Sequence, residues 1–180
     1  MRQLMINTVI ILASVFAQIC AAQPVSQSDL RTGKKGSSYP PFVLNNGTRK
    51  ISSDSIQGKV IWMNFWFEAC KPCMAEMQAI YEINERFKNE PDFLFLSITM
   101  EKEETINRVR RKLPLSYAVF TVSNAEAERL IGGRGYPTNI IIGKDGRIMY
   151  IETGGRIEPA AARDDLINNV VPIIKKALKK

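Results

Sequence analysis

The chain is 180 residues long, 45% of its residues are hydrophobic, and its formal net charge is +7 at pH 7. This length allows one domain with a sizeable core and leaves no room for a second. The complete lack of histidine excludes haem attachment through a Cys-x-x-Cys-His motif and leaves a zinc site short of ligands.

Residues 1–22 predict a secretory signal peptide. Arg2 supplies the charged start, residues 4–17 form a short apolar region, and Cys20-Ala21-Ala22 is a small-residue cleavage site. The span is short for a membrane helix. An uncleaved anchor and lipid attachment at Cys20 remain alternatives, and the bulky Ile19 argues against the second. We therefore expect an exported protein of the bacterial periplasm, with membrane anchoring through this segment as the alternative.

Residues 23–38 are rich in Ser, Gly, Lys and Gln, which predicts a flexible linker before a domain at residues 39–180. At the start of the domain, two short runs flank the Asn46-Gly47 pair, which suits a tight turn with positive φ and predicts an N-terminal β-hairpin extension. A serine-capped helical turn follows at residues 52–56, and the apolar run 59–67 predicts a buried central strand.

The Cys70-Lys71-Pro72-Cys73 motif follows this strand and opens a helical pattern that runs to about residue 87. Residues i and i+3 lie on one helix face, so the two sulfurs can meet, and the first lies among unpaired N–H groups at the positive helix end. Lys71 adds positive charge, and Pro72 suits the first turn. A thiolate is therefore favoured at Cys70, whereas Cys73 is expected to be more buried and more thiol-like. The pair predicts thiol–disulfide redox chemistry.

A zinc site and a purely structural disulfide are the alternatives for these cysteines. Zinc needs four ligands, and the chain offers only one further cysteine, Cys20. A disulfide between residues three apart closes too small a loop to stabilise a domain much. Removal of the signal peptide would leave no other cysteine in an oxidising compartment. We expect no metal and no cofactor.

Beyond this helix, strands and helices alternate before a closing hairpin and a last helix. The predicted elements are strands at 93–99 and 117–121, helices at 103–112 and 125–131, a hairpin of strands at 139–142 and 147–152, and a helix at 159–180 that Pro172 is expected to bend. This order predicts an α/β fold with a central mixed β-sheet flanked by helices.

Much of the positive charge lies at the C-terminus, in Lys175, Lys176, Lys179 and Lys180. Such a tail could contact membrane lipid or nucleic acid. Lysines in a last helical turn also complement the helix dipole and solubilise the chain end, which is the favoured explanation. Because no nucleic-acid motif accompanies them, we expect no nucleic-acid partner.

A glycine-rich loop, residues 132–138, directly precedes the strand predicted at 139–142. Pro137 in this loop invites a cis peptide bond, and the glycines allow close backbone approach. An ordinary turn is the default interpretation of such a loop. Beside a Cys-x-x-Cys motif, a functional role is favoured.

The order and spacing of Asn64-Phe65-Trp66, the Cys-x-x-Cys motif and Tyr136-Pro137-Thr138 resemble the thioredoxin superfamily, specifically its exported TlpA/ResA-like branch. The resemblance covers about residues 39–180. It implies a thioredoxin-like fold in which Cys70 attacks, Cys73 resolves, and Pro137 is cis beside them. It also implies that the backbone of Tyr136 pairs with the substrate chain.

Glu76 matches a glutamate that ResA-like members carry three residues after the second cysteine. Cytosolic thioredoxins instead have a buried aspartate at the position of Asn64. A buried carboxyl near Cys73 could hold a raised pKa and exchange protons with it. Without the resemblance, a solvated helix residue is an equal alternative for Glu76.

The sequence departs from the family at three places. Ala69 stands where tryptophan is usual, Met77 where many members have a helix-kinking proline, and Phe67-Glu68 where small residues are usual. The alanine is expected to open the surface around Cys70. These departures affect substrate preference rather than chemistry.

Together these features predict an exported thiol–disulfide oxidoreductase that reduces protein disulfides through a Cys70 mixed disulfide resolved by Cys73. The resemblance implies disulfide-bonded exported proteins as substrates and a membrane thiol as electron donor, and we expect a monomer. A thioredoxin-fold binding module for exported peptides and a haem or apocytochrome chaperone in cytochrome c maturation are the alternatives. The missing Pro-x-x-x-Thr-x-x-Cys pattern argues against a peroxiredoxin.

Overall fold

A computed structural model describes residues 30–31, 34–113 and 115–179. The strands are β1 (Val43–Asn45), β2 (Lys50–Ser52), β3 (Val60–Trp66), β4 (Phe93–Thr99), β5 (Val119–Thr121), β6 (Thr138–Ile142) and β7 (Ile148–Thr153). The helices are α1 (Lys71–Phe87), α2 (Glu103–Arg110), α3 (Asn124–Ile131) and α4 (Pro159–Leu178), and a 3₁₀ helix spans Ser53–Ile56. The predicted signal peptide lies outside the described residues.

The main sheet has five strands in the order β5-β4-β3-β6-β7. Strands β3, β4 and β5 run parallel, whereas β6 and β7 are antiparallel to their neighbours. The separate β1–β2 pair is antiparallel. The predicted thioredoxin-like α/β fold, with a mixed sheet and an N-terminal hairpin, is therefore confirmed.

Strand β3 lies at the centre of the sheet, and all seven of its residues are buried. Its side chains alternate between two cores because successive residues of a strand point to opposite faces. Trp62 and Trp66 pack in the core that includes α1 and α4, whereas Met63 and Phe65 pack with the hairpin and α3. Layers on both faces explain why the strand is apolar along its whole length.

Parts of the region predicted as a linker, residues 23–38, contact the folded domain. The Gly36 N–H donates to the Ile148 carbonyl at 2.8 Å, Ser38 pairs with Arg147, and Leu30 is fully buried. Composition missed these contacts because main-chain hydrogen bonds need no apolar residue and a single leucine leaves no periodic signal.

The topology places two loops side by side. Strand β3 runs toward the loop that leads into α1, and β6 runs antiparallel beside it, with Phe65 opposite Thr138. The end of β3 therefore adjoins the start of β6. Among the helices of the described residues, none is long and apolar enough to cross a membrane.

Candidate active site

Cys70 and Cys73 form a disulfide with an S–S distance of 2.02 Å at the start of α1. Cys70 is the N-cap residue, and its sulfur accepts a hydrogen bond from the Cys73 N–H at 3.2 Å. Pro72 lies in the first turn, where its missing N–H leaves no helix hydrogen bond unmade. Cys73 is 1% exposed and Cys70 6% exposed, so the predicted difference in burial is confirmed.

Glu68, in the loop between β3 and α1, makes hydrogen bonds to two side chains. Its carboxylate accepts two hydrogen bonds from the Arg108 guanidinium, at 2.8 and 2.5 Å, and its N–H donates to the Glu101 carboxylate at 2.9 Å. The hydrogen bond from Arg108 lowers the pKa of Glu68, so this carboxylate stays ionised. Ala69 is exposed beside Cys70.

Two open cavities border this loop, and neither was predicted from the sequence. One, of about 300 Å³, is lined by Glu68, Met74, Val109, Lys112 and Leu113. The other, of about 360 Å³, is lined by Phe67, Met100, Glu101, Asn124 and Glu128. Both combine apolar side chains with charged ones.

The Tyr136–Pro137 peptide bond is cis, as predicted. The Pro137 carbonyl accepts from the Gly154 N–H at 2.8 Å, which ties the loop to the end of β7. The Tyr136 ring packs edge-on against the Phe67 ring, with centroids 5.3 Å apart, so the two loops are in contact. Burial and the charge of Glu128 raise the pKa of Tyr136 to about 12, which keeps its hydroxyl protonated.

Arg134 and Gly132 hold the rest of this loop in place. Arg134 donates to the Thr153 hydroxyl at 2.7 Å and to the Arg31 carbonyl at 2.6 Å. Gly132 ends α3 with φ of +68°, and a Cβ there would lie 2.4 Å from Leu30 Cβ. The close backbone approach that we expected of the glycine-rich loop is thus made to Leu30, which precedes the predicted domain.

Glu76 lies one helical turn after Cys73 on the same side of α1 and is 4% exposed. Its Oε2 accepts from Asn139 Nδ2 at 3.1 Å. Burial raises the pKa of Glu76 to about 7; the Asn139 hydrogen bond opposes this rise, and the charges of Glu152 and Asp165 add to it. The alternative of a solvated helix residue is therefore wrong, and Glu76 can gain or lose a proton near neutral pH.

Sequence analysis missed a buried amide network behind Glu76. Asn139 Oδ1 accepts from Trp62 Nε1 and from Asn64 Nδ2, each at 3.1 Å. Asn64 and Asn139 are directly opposed on β3 and β6. An asparagine inside each of two apolar strands was the available signal, but their pairing depends on the strand register. Within the described residues, no group of three or more His, Cys, Asp or Glu side chains could hold a metal ion.

The chain is similar in sequence to known thiol-disulfide oxidoreductases and similar in structure to a protein of the thioredoxin family. A profile of the Redoxin family matches residues 34–167. The thiol-disulfide oxidoreductase ResA of Halalkalibacterium halodurans is 26% identical over 132 residues, which cover 73% of this chain and 75% of the relative. The thiol-disulfide oxidoreductase ResA of Bacillus subtilis is 26% identical over 163 residues, which cover 87% of this chain and 88% of the relative.

Among solved structures, the chain resembles a thiol:disulfide interchange protein of the thioredoxin family from Chlorobium tepidum. The match has a TM-score of 0.61 and 23% identity, and it covers 78% of this chain and 95% of that one. This similarity supports the fold alone, whereas the match to the Redoxin family covers most of the chain.

Proposed function

Because the chain belongs to the Redoxin family and is a TlpA/ResA-like thiol–disulfide oxidoreductase, we propose that it reduces disulfide bonds in exported proteins. The observation that carries the proposal is the disulfide between Cys70 and Cys73 at the start of α1. The disulfide form accepts two electrons and two protons to give two thiols. The reduced form returns them to a substrate disulfide.

In the proposed reaction, the Cys70 thiolate attacks one sulfur of the substrate disulfide. A mixed disulfide forms, and the second substrate sulfur leaves as a thiolate that takes up a proton. Cys73 then loses its proton and attacks the Cys70 sulfur. This step releases the first substrate sulfur and restores the Cys70–Cys73 disulfide. A membrane thiol donor would reduce that disulfide for the next cycle.

The order of attack follows from the positions of the two sulfurs on the helix. Cys70 caps the N-terminus of α1, where the Cys73 N–H and the helix dipole stabilise a thiolate. Lys71 is exposed beside it and adds positive charge. Cys73 lies one turn inside the helix and is nearly inaccessible. It can therefore meet the sulfur of Cys70 but not a large substrate.

Tyr136 and Glu76 have proposed supporting roles. Tyr136 precedes Pro137 in a loop that contacts the Cys70 loop, so its backbone can pair with an extended substrate segment. Glu76 shares a helix face with Cys73 and has a pKa of about 7, so it can accept the Cys73 proton during the resolving step.

Trapping of mixed disulfides tests the proposal and identifies substrates. In cells that carry Cys73→Ser, the first attack should proceed and the second should fail, so covalent complexes should accumulate on non-reducing gels. Cells that carry Cys70→Ser should accumulate none. Equal trapping by both variants would contradict the assigned roles. No trapping by either, with both variants folded and exported, would favour a peptide-binding module or a haem or apocytochrome chaperone.

Export rests on residues 1–22 and is proposed with the rest. Mass spectrometry of the protein from the exported compartment should give a mature N-terminus at Gln23. A retained N-terminus would indicate an anchor, and a lipid-modified Cys20 would indicate a lipoprotein. Light scattering of the mature protein should give the mass of a monomer.

A further inference from the structure

The side-chain amide of Asn139 has one allowed orientation. The indole N–H of Trp62 can only donate, so the atom of Asn139 that it meets must be the oxygen. The nitrogen of the same amide therefore faces Glu76, where it can only donate to Oε2. Trp62 is fully buried, so no solvent competes for its N–H.

The Asn64–Asn139 pair makes one hydrogen bond in either orientation of the two amides, so the pair alone does not select the observed orientation. As observed, Asn64 Nδ2 donates to Asn139 Oδ1, which leaves Asn64 Oδ1 buried without a hydrogen-bond partner. If both amides were flipped, Asn139 Nδ2 would donate to Asn64 Oδ1, and the NH₂ group of Asn64 would be left buried without a partner instead. The flipped arrangement would also set the Trp62 N–H against an NH₂ group, so the indole selects the observed one.

We propose that Trp62, acting through Asn139, restricts the exchangeable proton of Glu76 to Oε1. Oε2 accepts a hydrogen bond from the Asn139 amide, which cannot flip. A proton bound to Oε2 would therefore point at the N–H of Asn139. In a flipped network the same proton would donate to Asn139 Oδ1 and the neutral acid would gain a hydrogen bond. Trp62 is thus a positioning residue for Glu76, two side chains away from it.

The oxygen that is left for the proton faces a small surface pocket. A Cβ at Gly155 would lie 2.7 Å from Glu76 Oε1, so only a glycine leaves this oxygen open. The pocket measures about 20 Å³, which is room for one water molecule, and its lining includes Glu76, Tyr150, Glu152, Gly155 and Asp165. The proton of Glu76 therefore exchanges with solvent on this side.

The charged groups around the pocket come from β7 and α4. Glu152 on β7 accepts from the Tyr150 hydroxyl, and Asp165 on α4 pairs with Arg156 at 2.9 Å. Both carboxylates favour retention of the proton on Glu76. Cys73 is the titratable neighbour on α1 itself, and in the disulfide form it does not titrate.

The inference rests on the proposed function only for its consequence, the exchange of this proton with Cys73. Its test uses the disulfide form without substrate, so its failure would leave the proposed thiol–disulfide reaction untouched. The carboxyl carbon of Glu76 is followed by NMR against pH, with Glu76→Gln to assign the signal. Unchanged protein should titrate near pH 7.

Two tryptophan variants give the decisive comparison. Trp62→Phe removes the indole donor, so the amides can flip and the neutral acid is stabilised; the Glu76 midpoint should rise by about one pH unit. Trp66→Phe is the matched control, because Trp66 is equally buried but donates to Ser97 at 2.8 Å, outside the network. Its midpoint should match that of the unchanged protein. An unchanged or lowered midpoint in Trp62→Phe, or an equal rise in both variants, would overturn the proposal.

A second measurement needs no substitution. In the unchanged protein, the Trp62 indole N–H should stay hydrogen bonded and slow to exchange on both sides of the Glu76 midpoint, while the Asn139 side-chain nitrogen shifts with it. Loss of protection at Trp62 when Glu76 becomes protonated would show that the amide flips freely, and would contradict the proposal.

Discussion

The two sulfurs of one disulfide face different surroundings. Around Cys70 the structure is open, with exposed Ala69, two cavities and an ion pair at the surface. Behind Cys73, the side chains of Glu76, Asn139 and Asn64 are buried and are linked by hydrogen bonds. The difference supports the proposed division of tasks, in which the surroundings of Cys70 (the outer side) select and attack a substrate and the surroundings of Glu76 (the inner side) control a proton.

The inner side should carry the larger energetic effects. Glu76 has a pKa of about 7 in the folded protein against an ordinary value of 4.5. The folded state therefore holds a proton that the unfolded state has lost between these values, and stability falls as pH rises from about 4.5 to 7. The loss is on the order of 3 kcal/mol at and above neutral pH.

Replacement of Glu76 by glutamine should remove this dependence. The variant should match the unchanged disulfide form in stability near pH 4 and exceed it near pH 8, as measured by urea unfolding at both values. The pH dependence of disulfide reduction near 7 should vanish as well. If the variant and the unchanged protein differ in stability by the same amount at both pH values, the Glu76 carboxyl is solvated and its proposed role is wrong.

Gly155→Ala should disturb the surroundings of Glu76 by steric crowding. The added Cβ would lie 2.7 Å from Glu76 Oε1 and 3.3 Å from Pro137 Cγ, so either the acid or the loop must move. Thermal unfolding should show a destabilisation of about 1–3 kcal/mol, and the Glu76 midpoint should shift. Gly135→Ala is the control, since its nearest neighbour would be Thr153 Cγ2 at an ordinary 3.6 Å. Equal effects of the two alanines would contradict the crowding at Oε1.

On the outer side, Arg108→Met should have the smallest effect. It removes the pair with Glu68, but both side chains are solvent accessible, and such pairs contribute little to stability. We expect unchanged unfolding and less than about a threefold change in kcat/KM for disulfide reduction, largest at low salt. Arg110→Met, which removes the exposed pair with Glu103, should leave both unchanged. A large loss with Arg108→Met alone would mean that Glu68 fixes the Cys70 loop.

The sequence was sufficient for the outer side because its chemistry is local. Cys70 and Cys73 are three residues apart, and the residue order around them predicts the strand and the helix start. The fold followed from alternating strands and helices. The glycine-rich loop pointed to a cis bond at Pro137, which the structure confirms, and the resemblance to a known branch placed Pro137 beside the cysteines.

The inner side depends on contacts that sequence spacing does not contain. The Asn64–Asn139 pair requires the antiparallel register of β3 and β6, and the Trp62 hydrogen bond requires knowledge of which strand face meets α1. Glu76 was predicted only through the resemblance. The packing of Leu30 against Gly132 joins residues about a hundred positions apart, and composition described that region as a linker.

The difference between the two sulfurs can be measured directly in the reduced protein. A brief pulse of iodoacetamide at pH 7, followed by mass spectrometry of the two cysteine positions, gives the alkylation rate of each. The helix N-terminus and the greater exposure favour Cys70, and we expect it to react at least about tenfold faster than Cys73. Equal rates, or faster modification of Cys73, would contradict the division of the motif into an attacking and a resolving sulfur.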